Sequence, residues 1–474
     1  MAFYQKDPCL SRRFRLVQTS FLQEEGLPFA AVLPEERIEE AFSQAGAEFA
    51  QEEDDVYTPA VPLWASLGQT LYKGEQRSCL AAVARVLVLL VALGRKPCAK
   101  NSGAYCRARA KVPEVVLRRL STEVAEGCEA AVPKHWLWHG RHVLLVDGTT
   151  ASMPDTCENQ AEYPQHNAQR SGIGFPLVRL VVLLSLATAM VCGMALGPYS
   201  GKETGEPALF RELLDGVDPR TILLADRYYG SYFLIALALR GRRDFVVRLH
   251  QCRKTDFRKA QRLGQGDHLV AWTRPQRPNW MDQATYEEIP KSITLRLVEV
   301  QIHEPGFRVA SLVVVTTLTE AKAFPREEIA ELYRKRWMAE LDIRAIKKTM
   351  GMDILRCKSP AMVRGEIWTC LLAYNLIRKT MLQSAQQCGS SPRELSFTAA
   401  MQTIAASWGT LAWADQKRRA ALIAAEIASL SQQQVGDRPN RVEPRAVKRR
   451  WKPLALLMKP RKEAQAELLR KRAS

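Results

Sequence analysis

Two short apolar runs, each stopped by an aspartate, constrain this chain more than any other feature: HVLLVDGTT at 142–150 and TILLADRYYG at 221–230. Neither alternates apolar with polar residues, so each predicts a strand buried on both faces, as in the interior of an α/β sheet. Asp147 and Asp226 then stand at the ends of two central strands. A strand-terminal aspartate taken alone reads as a turn or cap residue. Two of them at the ends of two central strands become candidates for chemistry.

The segments around these runs supply the rest of a sheet. Residues 177–199 are long enough for a hairpin turning near Thr188, PALFRELLDGV reads as a helix ended by glycine, SYFLIALALRGR as a second helix and DFVVRLH as a further strand. The order β-β-β-α-β-α-β, with helices over both faces of a mixed sheet, predicts an α/β fold with a ribonuclease-H-like catalytic core. Strand-like segments HLVAWT, ITLRLVEVQI and FRVASLVVVTTL follow as a β-rich insertion, and a helical pattern resumes at Pro325 and again over 362–387. Upstream, Ile38, Ala41 and Phe42 recur at helical spacing. Helices over 78–120 are joined by a basic segment that should expose Arg107 and Arg109. The expected organisation is a helical N-terminal region (1–135), a first part of the core (136–250), the insertion (251–320), a second part of the core (321–390), and C-terminal helices with a basic tail (391–474).

Charge narrows the partner. Lys and Arg number 68 against 50 Asp and Glu, a formal charge of +18, which favours a polyanion, nucleic acid first. The excess is concentrated in 435–474, which holds Lys448 and Arg449 and reads either as a phosphate-contacting arm or as a solvated tail. The 11 cysteines form no CxxC pair and no apolar signal-peptide core follows the first residues, which predicts free thiols in a reducing compartment. The apolar runs at 79–94 and 177–197 carry Arg85 and Arg179. The first is shorter than the roughly 20 residues a bilayer needs. Both are expected as buried elements, not membrane spans. His135, His139 and His142 include an i, i+4 pair, but without a nearby cysteine they read as loop histidines.

A third acid lies on the helix after the insertion. Tyr333, Arg336, Glu340 and Lys347 fall at offsets 0, 3, 7 and 14, successive positions on one helical stripe. A solvated, salt-bridged face is the plain reading of such a stripe. The functional reading gives Glu340 metal binding and Tyr333, Arg336 and Lys347 contact with phosphate, the guanidinium being suited to bidentate contact. Asp147, Asp226 and Glu340 offer the hard oxygen ligands that Mg²⁺ takes.

The spacing Y-x2-R-x3-E-x6-K in YRKRWMAELDIRAIKK resembles the signature of the DDE transposases of bacterial insertion sequence family four. Other segments resemble that family as well, among them VDGTTASMPDTCENQAEYPQ, GPYSGKETGE, LLADRYYGSY and RPNRVEPRAVKRR. The resemblance spans about 77–450 and implies Asp147, Asp226 and Glu340 as catalytic, metal-binding acids, with two Mg²⁺ ions per site, replaceable by Mn²⁺. It places Tyr333, Arg336 and Lys347, together with Arg107, Arg109, Lys448 and Arg449, among the DNA contacts. It further implies excision of an element at its terminal inverted repeats, joining of its 3′-hydroxyl ends to double-stranded target DNA, a homodimer holding two ends, and a place in the bacterial cytoplasm at the nucleoid. Several family members pass through hairpin-ended intermediates, yet the strand SLVVVTTL carries no tryptophan where hairpin-forming relatives stack a base. Two other readings stay open on the residues: a nuclease of the same fold without strand transfer, and a non-catalytic DNA-binding derivative.

Overall fold

The computed structural model describes residues 14–49, 55–253, 260–301, 311–435 and 457–473. Its first helices are α1 (Arg15–Ser20), α2 (Glu35–Gln44), α3 (Ala60–Thr70), α4 (Cys79–Ala92), α5 (Gly103–Ala110) and α6 (Glu114–Ala130). Ile38, Ala41 and Phe42 are the buried face of α2, as their spacing predicts. Helix α4 starts where the Ser78 hydroxyl accepts a hydrogen bond from the Ala81 N–H at 3.2 Å, an N-cap. The run 79–94, expected to be buried, is only half so. Val83, Val86 and Leu90 are buried, while Leu80, Val88 and Val91 are exposed, because α4 packs on one side only, against α3, α5 and its neighbours.

The sheet elements follow as β1 (Val143–Ser152), α7 (Cys157–Glu162), β2 (Leu177–Ser185), β3 (Val191–Pro198), α8 (Glu206–Leu214), β4 (Ile222–Ala225), α9 (Tyr232–Arg240) and β5 (Asp244–Arg248). Apart from α7, this is the order read from the sequence, and the β2–β3 turn contains Thr188. Strands β1, β4 and β5 run parallel, and β2 lies antiparallel between β1 and β3, so the sheet is mixed. Successive side chains alternate between faces. Val143, Leu145, Ile222 and Leu224 join one apolar core, and Leu144, Val146, Leu223 and Ala225 join the other, over which α8 and α9 lie. That two-sided burial is why both strands read as unbroken apolar runs.

The β-rich segment comprises β6 (Gln261–Gly264), β7 (Asp267–Thr273), α10 (Gln283–Glu288), β8 (Ser292–Gln301) and β9 (Ser311–Thr316). It continues the same sheet, since β9 pairs antiparallel with β5 through Val246 and Thr316, giving the order β3-β2-β1-β4-β5-β9-β8-β7-β6. Residues 307–310 of the expected strand lie outside the described residues. Arg296, fully buried on β8, pairs bidentately with Asp267 of β7 at 2.8 and 2.6 Å, which fixes that register.

Then come α11 (Arg326–Arg334), α12 (Met338–Arg344), α13 (Pro360–Cys388), α14 (Phe397–Trp413), α15 (Gln416–Ser431) and α16 (Arg461–Ala473). Helix α13 begins with proline at its first position, ends at Gly389 in the left-handed region (φ 67°), and is buried along most of its length. Around it the N-terminal helices, one face of the sheet and α14–α15 share a single continuous core. Arg77 adds a polar tie. Its Nη1 donates to the carbonyls of Met350 and Gly351 at 2.8 and 2.9 Å, just beyond α12, and its Nη2 lies 3.6 Å from the Glu366 carboxylate. No helix among the described residues is long and apolar enough to cross a membrane.

Candidate active site

Strand β1 does not end at Asp147, as the sequence reading had it, but runs on to Ser152. Its pairing with β4 stops at Val146 and Ala225, while its pairing with β2 continues to Ser152 and Leu177. The polar string DGTTAS concealed this, because it forms a half-buried extension paired with β2 along its length and on the other edge only at Ser152, with Ile354. Asp147 is therefore the first residue past the β1–β4 pairing, and Asp226 is the first residue past the end of β4. By alternation both side chains lie on the face shared with Leu145 and Leu224. Adjacent strands are about 4.8 Å apart. The two aspartates are neighbours, 79 residues apart in the chain.

Each aspartate is held by a local backbone contact: Asp147 Oδ1 accepts the Gly148 N–H at 2.8 Å and Asp226 Oδ1 accepts the Arg227 N–H at 2.6 Å. The second contact opens a 3₁₀ turn over Arg227–Tyr229.

Helix α12 packs on this face against β1. The stretch carrying Tyr333, Arg336, Glu340 and Lys347 is not one uniform helix. A 3₁₀ turn over Lys335–Trp337 joins α11 to α12, and a π turn over Ala345–Thr349 ends it. The first overwinds and the second underwinds the helix, and Lys347 lies within the second. Arg336 Nη2 donates to Glu340 Oε1 at 2.7 Å, with the Glu340 side chain 58% exposed and that of Arg336 19%.

The charges interlock. Burial pushes the Asp147 carboxyl up to about 6, Gly148 and Arg336 oppose that rise, and Glu206 and Glu340 add to it. Tyr333 is buried and its phenol is pushed up to about 12, first by that burial, within the field of Arg336, Asp226, Arg248 and Arg227. These interactions bring Asp147, Asp226, Glu340, Arg336 and Tyr333 into one site. Lys347 is half-buried on the π turn, its ammonium lowered by burial, in the field of Asp353 and Lys348.

The other sequence-derived contacts lie elsewhere. Arg107 is exposed on α5. Arg109, expected to be exposed, instead turns inward. Its Nη2 meets the Cys357 Sγ at 3.2 Å, and it lines a cavity of about 820 Å³ with Arg77, Cys79 and Glu366, because α5 packs against α3 and buries that side. Lys448 and Arg449 lie outside the described residues. Two of the loop histidines meet carboxylates: His142 Nδ1 lies 2.9 Å from Glu129 Oε2, and His139 contacts Glu328. Sequence reasoning missed Glu206 and Tyr229, which sit beside the aspartates. Both lie in segments that resemble the family, GPYSGKETGE and LLADRYYGSY, but neither was singled out.

Residues 138–376 match the family model described as the transposase DDE domain, so the chain carries the catalytic domain of a DDE transposase. The chain is 31% identical over 399 residues, 82% of its own length and 85% of the relative's, to the transposase InsG for insertion sequence element IS4 of Escherichia coli (strain K12). A shorter stretch of 66 residues, 14% of this chain and 18% of the relative, is 35% identical to the transposase for insertion sequence element IS421 of Escherichia coli. Among solved structures, the piggyBac transposase synaptic complex with hairpin DNA superposes with a TM-score of 0.41 at 13% identity, over 92% of this chain and 87% of that one, too loosely to carry detail. The chain belongs to the IS4 family of DDE transposases. It is a DNA transposase, an enzyme of DNA cleavage and strand transfer.

DDE enzymes use divalent metal. Among the described residues no three His, Cys, Asp or Glu side chains converge closely enough to hold an ion as they stand, and Glu340 is turned to Arg336. The donor chemistry nevertheless fits. The acids present only hard carboxylate oxygens, and Asp147 is a desolvated carboxyl whose raised pKa marks a negative charge that a cation would stabilise.

Proposed function

We propose that Asp147, Asp226 and Glu340 are the metal-binding catalytic acids of this transposase, within a ribonuclease-H-like core. The observation that carries the reading is the placement of Asp147 and Asp226 as neighbours on one sheet face, beneath the helix that bears Glu340. Two Mg²⁺ ions, with Mn²⁺ as a substitute, would supply Lewis-acid activation of the attacking oxygen and neutralisation of the departing one. Asp147 and Asp226 hold oxygens toward the centre from the sheet. Glu340 joins them by leaving Arg336. That exchange frees the guanidinium for bidentate contact with a DNA phosphate, and Tyr333 and Lys347 extend the phosphate-binding side.

On this reading the helical region 1–135, with Arg107, and the basic tail, with Lys448 and Arg449, contact element ends, and Arg109 supports that region from inside. The core occupies 136–250 and 321–390, 251–320 extends its sheet, and 391–474 closes the chain. The partners are double-stranded DNA at element ends and target, engaged by a homodimer in the bacterial cytoplasm at the nucleoid. Phosphate contacts of this kind make binding salt-dependent, while base contacts select the ends.

The test is Asp226→Ala in the full-length protein, with a labelled DNA end bearing a 3′-hydroxyl. Cleavage and joining should both be lost while DNA binding is retained. Metal-dependent cleavage at the parental rate would show that the acids are wrongly assigned. Cut product without joined product in the parent protein would favour the nuclease reading.

A further inference from the structure

Helix α8 places Glu206 on the side of β1 opposite Asp147. The neighbour it meets is Gly148. A Cβ at Gly148 would lie 2.7 Å from Glu206 Cγ and would overlap the carboxyl group, so the glycine leaves room for that carboxyl against the strand. Gly148 is not among the glycines with positive φ. Its missing side chain therefore serves space, not backbone conformation.

On its other side Glu206 Oε2 accepts a hydrogen bond from the Tyr229 hydroxyl at 3.2 Å. Tyr229 is 1% exposed and follows Asp226 by three residues. One carboxyl thus touches the residue after Asp147 and the turn after Asp226. No ion pair to Glu206 occurs among the described residues, and the start of α8 offers only the partial positive charge of a helix N-terminus. A half-buried carboxylate across the strand from Asp147, adding to the negative field at that acid and partnered by a hydroxyl, raises the local demand for a cation.

We propose that Glu206 is a fourth carboxylate of this centre, a positioning residue that spans the β1 and β4 ends and adds its charge to the field retaining a divalent cation. The proposal rests on the reading of Asp147, Asp226 and Glu340 as the metal-binding acids. Gly148 gives Glu206 access to β1, and Tyr229 ties it to the β4 side. Neither Glu206 nor Tyr229 is required to touch DNA.

The experiment measures Mn²⁺ affinity of the full-length, DNA-free protein by the paramagnetic resonance of free Mn²⁺, beside metal-free thermal unfolding. Glu206→Gln keeps an oxygen for Tyr229 and removes the charge. It should weaken Mn²⁺ binding about tenfold or more, in the range found for groups that orient metal ligands, without lowering metal-free stability. Tyr229→Phe keeps the charge and loses the tie, and should weaken binding by a smaller factor. Mn²⁺ affinity of Glu206→Gln within about twofold of the parent, while Asp226→Ala abolishes binding, would overturn the role of Glu206. Unchanged binding in Asp226→Ala would instead overturn the underlying assignment of the acids. Should Glu206→Gln not fold, Tyr229→Phe decides alone, with unchanged affinity counting against the proposal and weakened affinity for it.

Discussion

Asp342 lies two residues beyond Glu340 on α12 and is 2% exposed. Its Oδ1 accepts from Arg378 Nη2 of α13 at 2.9 Å and its Oδ2 from Arg393 Nη2 at 3.0 Å. Arg393 also donates to the Ser185 carbonyl at 2.7 Å, at the end of β2. One carboxylate therefore binds the Glu340 helix to the central helix and to the sheet. Asp342→Ala removes the only acid paired with these arginines among the described residues and leaves two guanidinium groups, 7% and 14% exposed, without that counter-charge. Removing one partner of a buried ion pair costs about 3–5 kcal/mol. Tyr374 retains a hydrogen bond from Arg378 at 3.0 Å, and Arg393 has enough exposure to recruit water, so the lower half of that range, about 3–4 kcal/mol, is expected. Against a total stability of roughly 5–15 kcal/mol this is a large fraction. Guanidinium unfolding followed by tryptophan fluorescence measures it, and DNA cleavage measured well below the unfolding midpoint should also fall as Glu340 loses its anchor. A stability loss below about 1 kcal/mol would refute the view that this cluster is a buried, uncompensated charge system.

Lys379 on α13 is 1% exposed and its Nζ has no hydrogen-bond partner among the described residues; burial lowers its ammonium from 10.5 to about 8, opposed weakly by Cys128. The folded state therefore holds the proton less tightly than the unfolded chain. That penalty, about 3 kcal/mol, is fully present below pH 8 and is relieved as the pH rises from about 8 toward 10.4. Lys379→Met should accordingly raise stability by about 2–3 kcal/mol at pH 7, with the advantage shrinking toward pH 10 in denaturant titrations; a gain independent of pH would contradict a charged lysine in that position. Gly148→Ala forces the Glu206 carboxyl away from β1, and overpacking of this kind costs about 1–3 kcal/mol. Differential scanning calorimetry should register that loss, and parental stability with parental Mn²⁺ affinity would mean that Glu206 moves aside freely.

Much of the candidate site could be read before any tertiary structure was known, for reasons that differ by residue. The nearness of Tyr333, Arg336 and Glu340 was legible because helical period is local, while Lys347 falls in a π turn that the period does not foresee. Asp226 was legible because β4 does end there. The strand of Asp147 was read too short, since the extension DGTTAS pairs with β2 but not with β4 and lacks the apolar run of a doubly covered strand. Arg109 was read outward from its basic surroundings, which carry no information about the side of α5 that packs. Glu206 was passed over because its partners, Gly148 and Tyr229, are distant in sequence or belong to another element.

What the sequence by itself determined is therefore local or periodic: the two strands and their aspartates, the polar stripe after the insertion, the strand and helix order of the core, the basic excess and the resemblance that led to the family. Tertiary structure alone decided which faces meet. It made the β-rich segment a continuation of the sheet, left α4 half exposed, joined the N-terminal helices to the sheet in one core, and brought Glu206 to the strand that carries Asp147. Backbone period and apolar runs are set within a few residues of the chain. Burial of a particular side, and the charges that face it, depend on segments tens to hundreds of residues away.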